Sequence, residues 1–392
     1  MNYDKFVNGT VKAIKPSGIR KFFDIVSEKK NAISLGVGEP DFDTPWLGRN
    51  SAIRSIQKGL TQYTSNCGMP RLRELISVYY AKRYSLEYDY AKEIIVTVGA
   101  SEAIDLALRA TIEPGDEVLI PDPSYVSYSP CVMLAGGTPV SVPCYENDGF
   151  ALTPSSLEAV ITEKTKILVL PYPNNPTGGI MTREQLLSIA KIVIARDLFV
   201  ISDEIYSELT YNESGHVSIA SIDGMKERTA VINGFSKSFA MTGWRLGYVL
   251  APKPICDAMY KIHQYTIMCA PTPAQYAGAA ILEEELSNGF LAVNEMRSQY
   301  DMRRRYVYNT LKEFGFETFE PQGAFYVFPS VKNFGYTGER FASALLDKES
   351  VAVVPGNAFG ASGENYIRIS YAYSMPSLTK ALERIFRFVE SL

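Results

Sequence analysis

From residue 93 onward, short apolar runs alternate with helical periods, and no other feature of this chain constrains its fold as strongly. Residues 93–98 (Glu-Ile-Ile-Val-Thr-Val) read as a buried strand that closes on Gly99-Ala100-Ser101, and residues 102–111 then read as a helix. The apolar runs 117–120, 139–142, 167–170 and 198–201 repeat the pattern. Helical periods separate them, for example 182–196, where Thr182 and Gln185 have capping-box spacing. Strands this uniformly apolar, with helices between them, need a mostly parallel sheet covered on both faces, so the expected class is α/β. In such sheets, ligands bind at the carboxyl ends of the strands.

One stretch stands out at such an end. Residues 228–233 form a β-like run that breaks at Gly234 and a Ser236-Lys237-Ser238 turn; Arg245 follows, then a further strand-like run over 246–250. A lone lysine beside an apolar strand is ordinarily a rim charge. Here it has hydroxyls on both sides, an arginine within reach, and flanking glycines that let backbone approach a bound group. An amine near a phosphate-binding arginine loses its proton more easily, which suits Schiff-base chemistry. The turn Gly99-Ala100-Ser101 offers a matching anion cradle, because free N–H groups and the helix dipole point at the anion. Any α/β protein has such turns; Ser236 and Arg245 make this one specific. Arg368 interrupts the apolar run 366–370, and a buried arginine must be paired or face a cavity.

The pattern S-K-x-x-x-M-T-G-W-R over residues 236–245 resembles the fold-type I pyridoxal-phosphate enzymes, in particular the class I aminotransferases of the aspartate/aromatic type. The resemblance covers nearly the whole chain, with the motifs in the family's order. It implies that Lys237 carries pyridoxal 5'-phosphate covalently and that Arg245 binds its phosphate. Many members have Ser three residues before the lysine; Gly234 stands here, which leaves Ser236 as the hydroxyl contact. The resemblance further implies that Asp203 partners the pyridine nitrogen, that Asn175 and Tyr206 bond the phenolic oxygen, and that Tyr125 stacks on the ring. It places Gly38 near the substrate carboxylate and gives Arg368 the bidentate grip on that carboxylate. Tyr63 is expected to reach the partner's cofactor phosphate, so the enzyme is expected to be a homodimer. Glu204, beside Asp203, reads as structural.

The implied architecture is the fold-type I transferase: a mostly parallel, seven-stranded type of sheet in a large domain, plus a smaller α+β domain. The expected division is an N-terminal arm with part of the small domain (1–45), a large cofactor-binding domain (46–286) and a small C-terminal domain (287–392). A long helix over 287–314 is expected to bridge the two, followed by strands at 316–319, 324–328, 351–354 and 366–370.

Composition removes several competing classes. A net charge of -4 favours neither nucleic acid nor an anionic membrane surface. No apolar run approaches a membrane span, and the first 20 residues lack the apolar core of a signal peptide. Five scattered cysteines without a C-x-x-C fit a reducing cytoplasm better than disulfides or zinc. Two separate histidines, His216 and His263, make a histidine triad or metal site a poor reading. The chain has no nucleotide-binding G-x-x-x-x-G-K-[ST] or G-x-G-x-x-G after its first strand, and no room for the DNA-binding domain of an aminotransferase-like regulator. A carbon–sulfur β-lyase on the same scaffold is the nearest alternative. In place of Ser101 some aspartate-specific members carry a lysine, and Glu102 would repel an acidic side chain if it faced the pocket. That favours broader or aromatic specificity with 2-oxoglutarate as acceptor, and Arg20 and Arg49 are the candidates for a switchable partner of an acidic side chain.

Overall fold

A computed structural model describes residues 1, 3–16, 18 and 31–392. After a two-residue β1 (Ile33–Ser34) come the strands of the main sheet. They are β2 (Ile94–Val98), β3 (Glu117–Asp122), β4 (Thr138–Pro143), β5 (Thr165–Leu170), β6 (Phe199–Asp203), β7 (Thr229–Gly234) and β8 (Leu246–Leu250). Their order across the sheet is β2-β8-β7-β6-β5-β3-β4. Every pairing is parallel except the two made by β8.

Side-chain alternation along each strand builds the two covering layers. On β5, Ile167 and Val169 join a cluster with Leu106 of the helix Gly99–Thr111 and Met259 of Lys253–Thr266. Leu168 and Leu170 point the other way, to Leu186, Ile189 and Val193 of the helix Arg183–Ala195. All four strand residues are buried, each worth roughly 1.5–3 kcal/mol relative to exposure. The helix Arg183–Ala195 starts with the expected reciprocal cap between Thr182 and Gln185.

The C-terminal part differs from its sequence reading in three places. The helix expected over 287–314 is the second of a pair, Thr272–Asn288 and Leu291–Glu313. Gly289 and Phe290 break the run with positive φ angles of 78° and 66°. The buried Glu285 carboxylate then accepts the freed N–H groups of Ala292 and Val293, which satisfies the new helix start. The strand expected at 316–319 pairs only through one bridge, Glu317 to Ser330. The strand expected at 351–354 is two strands in different sheets. After β9 (Tyr326–Val327), β10 (Val351–Ala352) pairs in parallel with β1, whereas β11 (Val354–Pro355) pairs with β12 (Ile367–Ser370). β12 in turn pairs with β9, and the helix Met375–Glu390 closes the chain. Among the described residues no helix is long and apolar enough to cross a membrane.

Candidate active site

Parallel strands end on one edge of the sheet, so the segments that follow them converge there. Gly99 follows β2, Tyr125 follows β3, Asn175 follows β5, Asp203 ends β6, and Ser236 and Lys237 follow β7. β8 runs the opposite way, with Gly247 opposite Gly234, so its first residues lie at the same edge and bring Arg245 with them. A cavity of about 950 Å³ opens at this edge. Gly38, Ala100, Ser101, Tyr125, Asn175 and Asp203 line it, and so do Tyr206, Ser236, Lys237, Arg245 and Arg368.

One end of the cavity is built for an anion. The first turn of Gly99–Thr111 has no side-chain cap, so its N–H groups are free for a ligand. Arg245 sits against that turn. A Cβ on Gly99 would lie 2.5 Å from its Nη2, and Gly99 has φ +72°, so the close approach requires glycine. Arg245 donates to the Thr242 carbonyl at 3.1 Å and has no carboxylate partner among the described residues. Ser236, itself buried, lines the same cavity.

Lys237 donates from Nζ to the Gly38 carbonyl at 2.5 Å. Its pKa falls to about 8, chiefly because burial penalises the ammonium; Arg368 and Arg245 lower it further, and Glu39 opposes them. Burial thus outweighs the cationic neighbours that the sequence reading emphasised. Asp203 is 6% exposed, and its pKa rises to about 6, again mainly through burial. Two donors oppose the rise: the Tyr128 hydroxyl, 2.7 Å from Oδ2, and the Ile205 N–H, 3.2 Å from Oδ1. A buried carboxylate of this kind favours a cationic group brought against it. The donors, the amine and the carboxylate together fit a ligand with a phosphate at one end and a basic ring nitrogen at the other.

Arg368, 3% exposed, reaches across from β12. It donates to Asn175 Oδ1 at 2.8 Å and to the Gly36 carbonyl at 2.5 Å, and its buried Nε has no partner. Its guanidinium carbon lies 4.4 Å from the centroid of the Tyr326 ring. The Tyr326 hydroxyl lies 2.9 Å from that of Tyr206. A Cβ on Gly38 would meet the Tyr326 Oη at 2.2 Å, which explains glycine there.

Three residues raised by the sequence lie elsewhere. Tyr63 does not line the cavity and is 80% exposed. Glu102 does not face the pocket: one oxygen caps the Val98 N–H and the other lies 2.6 Å from His263 Nδ1. It therefore cannot repel a substrate. Arg49 pairs with Asp43 at 3.3 Å and does not line the cavity, and Arg20 lies outside the described residues. Neither histidine stands alone, since His216 Nε2 lies 3.0 Å from Glu204 Oε2. Glu204 is fully buried and also accepts from Ser202 and Ser218, as befits a structural group. The sequence reading missed Tyr128, Tyr326 and Lys15, which all line the cavity. Tyr128 had a signal, three residues beyond Tyr125 in the segment after β3; Tyr326 had none.

Comparison with known proteins agrees with this geometry. The family model described as aminotransferase class I and II matches residues 30–385. The chain is 49% identical over 372 residues to an aspartate aminotransferase of Pyrococcus abyssi, covering 95% of each chain. It is 44% identical over 372 residues to aromatic-amino-acid aminotransferase 2 of Thermococcus litoralis, again covering 95% of each. The crystal structure of an aromatic aminotransferase from Pyrococcus horikoshii superposes with a TM-score of 0.90 at 46% identity, covering 95% of this chain and 99% of that one. This chain belongs to the class I and II aminotransferases and is a pyridoxal-phosphate-dependent transaminase of fold type I.

Proposed function

We propose that this transaminase takes aromatic L-amino acids at least as well as aspartate and passes their amino group to 2-oxoglutarate. The observation that carries the catalytic reading is Lys237: a half-buried lysine with its pKa lowered to about 8, in one cavity with Arg245, Asp203 and Arg368. In this reading Lys237 holds the cofactor covalently. Gly99, Ala100, Ser101, Ser236 and Arg245 hold its phosphate, and Tyr125 stacks on its ring. Asn175 and Tyr206 bond its phenolic oxygen, and Asp203 faces its ring nitrogen. Bound there, pyridoxal phosphate supplies an electron sink for the pair released at the substrate Cα.

The chain's own groups do the rest. Asp203, kept ionised by a cation against it, holds a proton on the nitrogen it faces. Arg368 turns its fork to the substrate α-carboxylate, beside Gly38, and gives up at least one of its present carbonyl partners. With the cofactor bound, the Lys237 amine would serve as the base that takes the substrate Cα proton at Nζ and as the acid that returns it. Donor and acceptor use the site in turn, which gives ping-pong kinetics.

The cavity wall supports the aromatic preference, because Ile104, Val126 and Pro130 adjoin Tyr125 and Tyr128 there. Lys15 lines the same cavity and has no ion-pair partner among the described residues, so it offers a cation to a dicarboxylate acceptor. The test is a set of single half-reactions, followed by loss of the lysine-bound cofactor's visible absorbance. Phenylalanine or tyrosine should give kcat/KM at least comparable to aspartate, with 2-oxoglutarate sustaining turnover. Strong preference for aspartate, with negligible conversion of both aromatics, overturns the specificity reading.

The same reading makes the enzyme a cytoplasmic homodimer, divided into residues 1–45, 46–286 and 287–392. The exposed Tyr63 supports a role at a neighbour's site, the free cysteines support a reducing compartment, and the pairing of β1 with β10 ties the arm to the C-terminal part. Sedimentation of a single species at monomer mass at micromolar concentration would refute the dimer.

A further inference from the structure

Tyr206 and Tyr326 form a buried pair of phenols at the cavity, 6% and 1% exposed, with their oxygens 2.9 Å apart. Two hydroxyl protons serve this pair, but only one is used between the oxygens. Neither hydroxyl has another hydrogen-bond partner among the described residues. The spare proton therefore belongs to whichever phenol is the acceptor within the pair, and it is available to an oxygen in the cavity.

Either phenol can be the donor within the pair, and the two oxygens differ in their flanks. Gly38 presses its Cα against the Tyr326 oxygen, since a Cβ there would stand 2.2 Å from Oη. That flank is a C–H and offers no acceptor. The Gly38 carbonyl is engaged by Lys237 Nζ. With Tyr326 as the donor within the pair, the Tyr206 proton is left for the cavity. The ring of Tyr326 has a second contact, the Arg368 guanidinium 4.4 Å from its centroid, in cation–π range. β9 and β12 are neighbours, with Tyr326 opposite Ser370, two residues from Arg368. One side chain thus touches both Tyr206 and Arg368.

We propose that Tyr326 is a positioning residue with two separable actions: its hydroxyl orients and strengthens Tyr206 as a donor to the cofactor's phenolic oxygen, and its ring seats Arg368 for the α-carboxylate. This rests on the role assigned to Tyr206 above. A donor that itself accepts a hydrogen bond is polarised and donates more strongly. A stronger donor withdraws charge from the phenolic oxygen, and the nearby lysine-linked nitrogen then holds its proton less tightly.

The experiment compares Tyr326→Phe, Tyr326→Leu and Tyr206→Phe as holoenzymes, by two readouts other than turnover. The first is the pH midpoint of the bound cofactor's visible absorbance. The second is the Kd of 3-phenylpropionate, an unreactive carboxylate. Tyr326→Phe should raise the midpoint by roughly 0.2–0.6 pH unit and leave the Kd unchanged. Tyr326→Leu should raise the midpoint equally and weaken the carboxylate by roughly three- to tenfold. Tyr206→Phe should raise the midpoint more than either. A shift in Tyr206→Phe with none in Tyr326→Phe overturns the proposal while the role of Tyr206 stands. No shift in Tyr206→Phe overturns both. Equal loss of carboxylate affinity in Tyr326→Phe and Tyr326→Leu overturns the assignment of separate actions to hydroxyl and ring.

Discussion

Asp203 carries a cost in stability that can be measured without any turnover. In the cofactor-free protein its pKa is raised from 3.8 to about 6, mainly by burial. Between those values the folded state binds more protons than the unfolded state, so stability falls as pH rises through the window. The group's stabilisation is fully present below the unfolded pKa and gone above the folded one. A rise of about two units corresponds to about 3 kcal/mol in total, and about 2 kcal/mol of it is lost between about pH 4.5 and 7.5. Asp203→Asn removes the titration. The amide must still meet the Tyr128 hydroxyl and the Ile205 N–H, which adds an offset independent of pH. The assay is urea unfolding of the cofactor-free wild type and variant across that pH range, at equal protein concentration. The variant should gain about 2 kcal/mol on the wild type from low to high pH, and most of the catalytic rate should be lost in its holoenzyme. A stability difference that stays flat across the window would refute the buried-carboxylate account. Loss of rate in Glu204→Gln, with Asp203→Asn active, would show the wrong acid was chosen.

Lys237→Ala should abolish turnover and the visible band of the lysine-bound cofactor, while the phosphate contacts still retain some cofactor; an active variant with the band intact would sink the assignment. In the cofactor-free wild type, reductive methylation of Lys237 should rise with pH through a midpoint near about 8, where the depressed pKa leaves half the amine neutral, and a midpoint near 10.5 would contradict it. Arg368→Lys should raise the amino-acid KM roughly 10- to 100-fold, because an ammonium cannot reproduce a planar two-bond grip on a carboxylate. Unchanged kinetics would confine Arg368 to its present bonds with Asn175 and Gly36.

Local pattern alone determined the α/β class of this protein and the positions where its strands stop, because apolar alternation and small-residue breaks are properties of neighbouring residues. Since parallel strands end on one edge, that was enough to group Gly99, Tyr125, Asn175, Asp203 and Lys237 before any contact was known. The long S-K-x-x-x-M-T-G-W-R match supplied the family and the chemistry. What lay beyond local pattern depended on direction and on pairing between distant residues. The antiparallel course of β8 carries Arg245 to Gly99, and no property of residues 245–250 announces that course. Glu102 adjoins a cavity residue in sequence, yet its carboxylate turns to His263, because buried groups go where their partners are. Tyr128 meets Asp203 across 75 residues and Tyr326 meets Tyr206 across 120, distances over which a single sequence holds no signal. The lowered pKa of Lys237 follows mostly from burial, and burial exists only once the whole chain has closed around the amine.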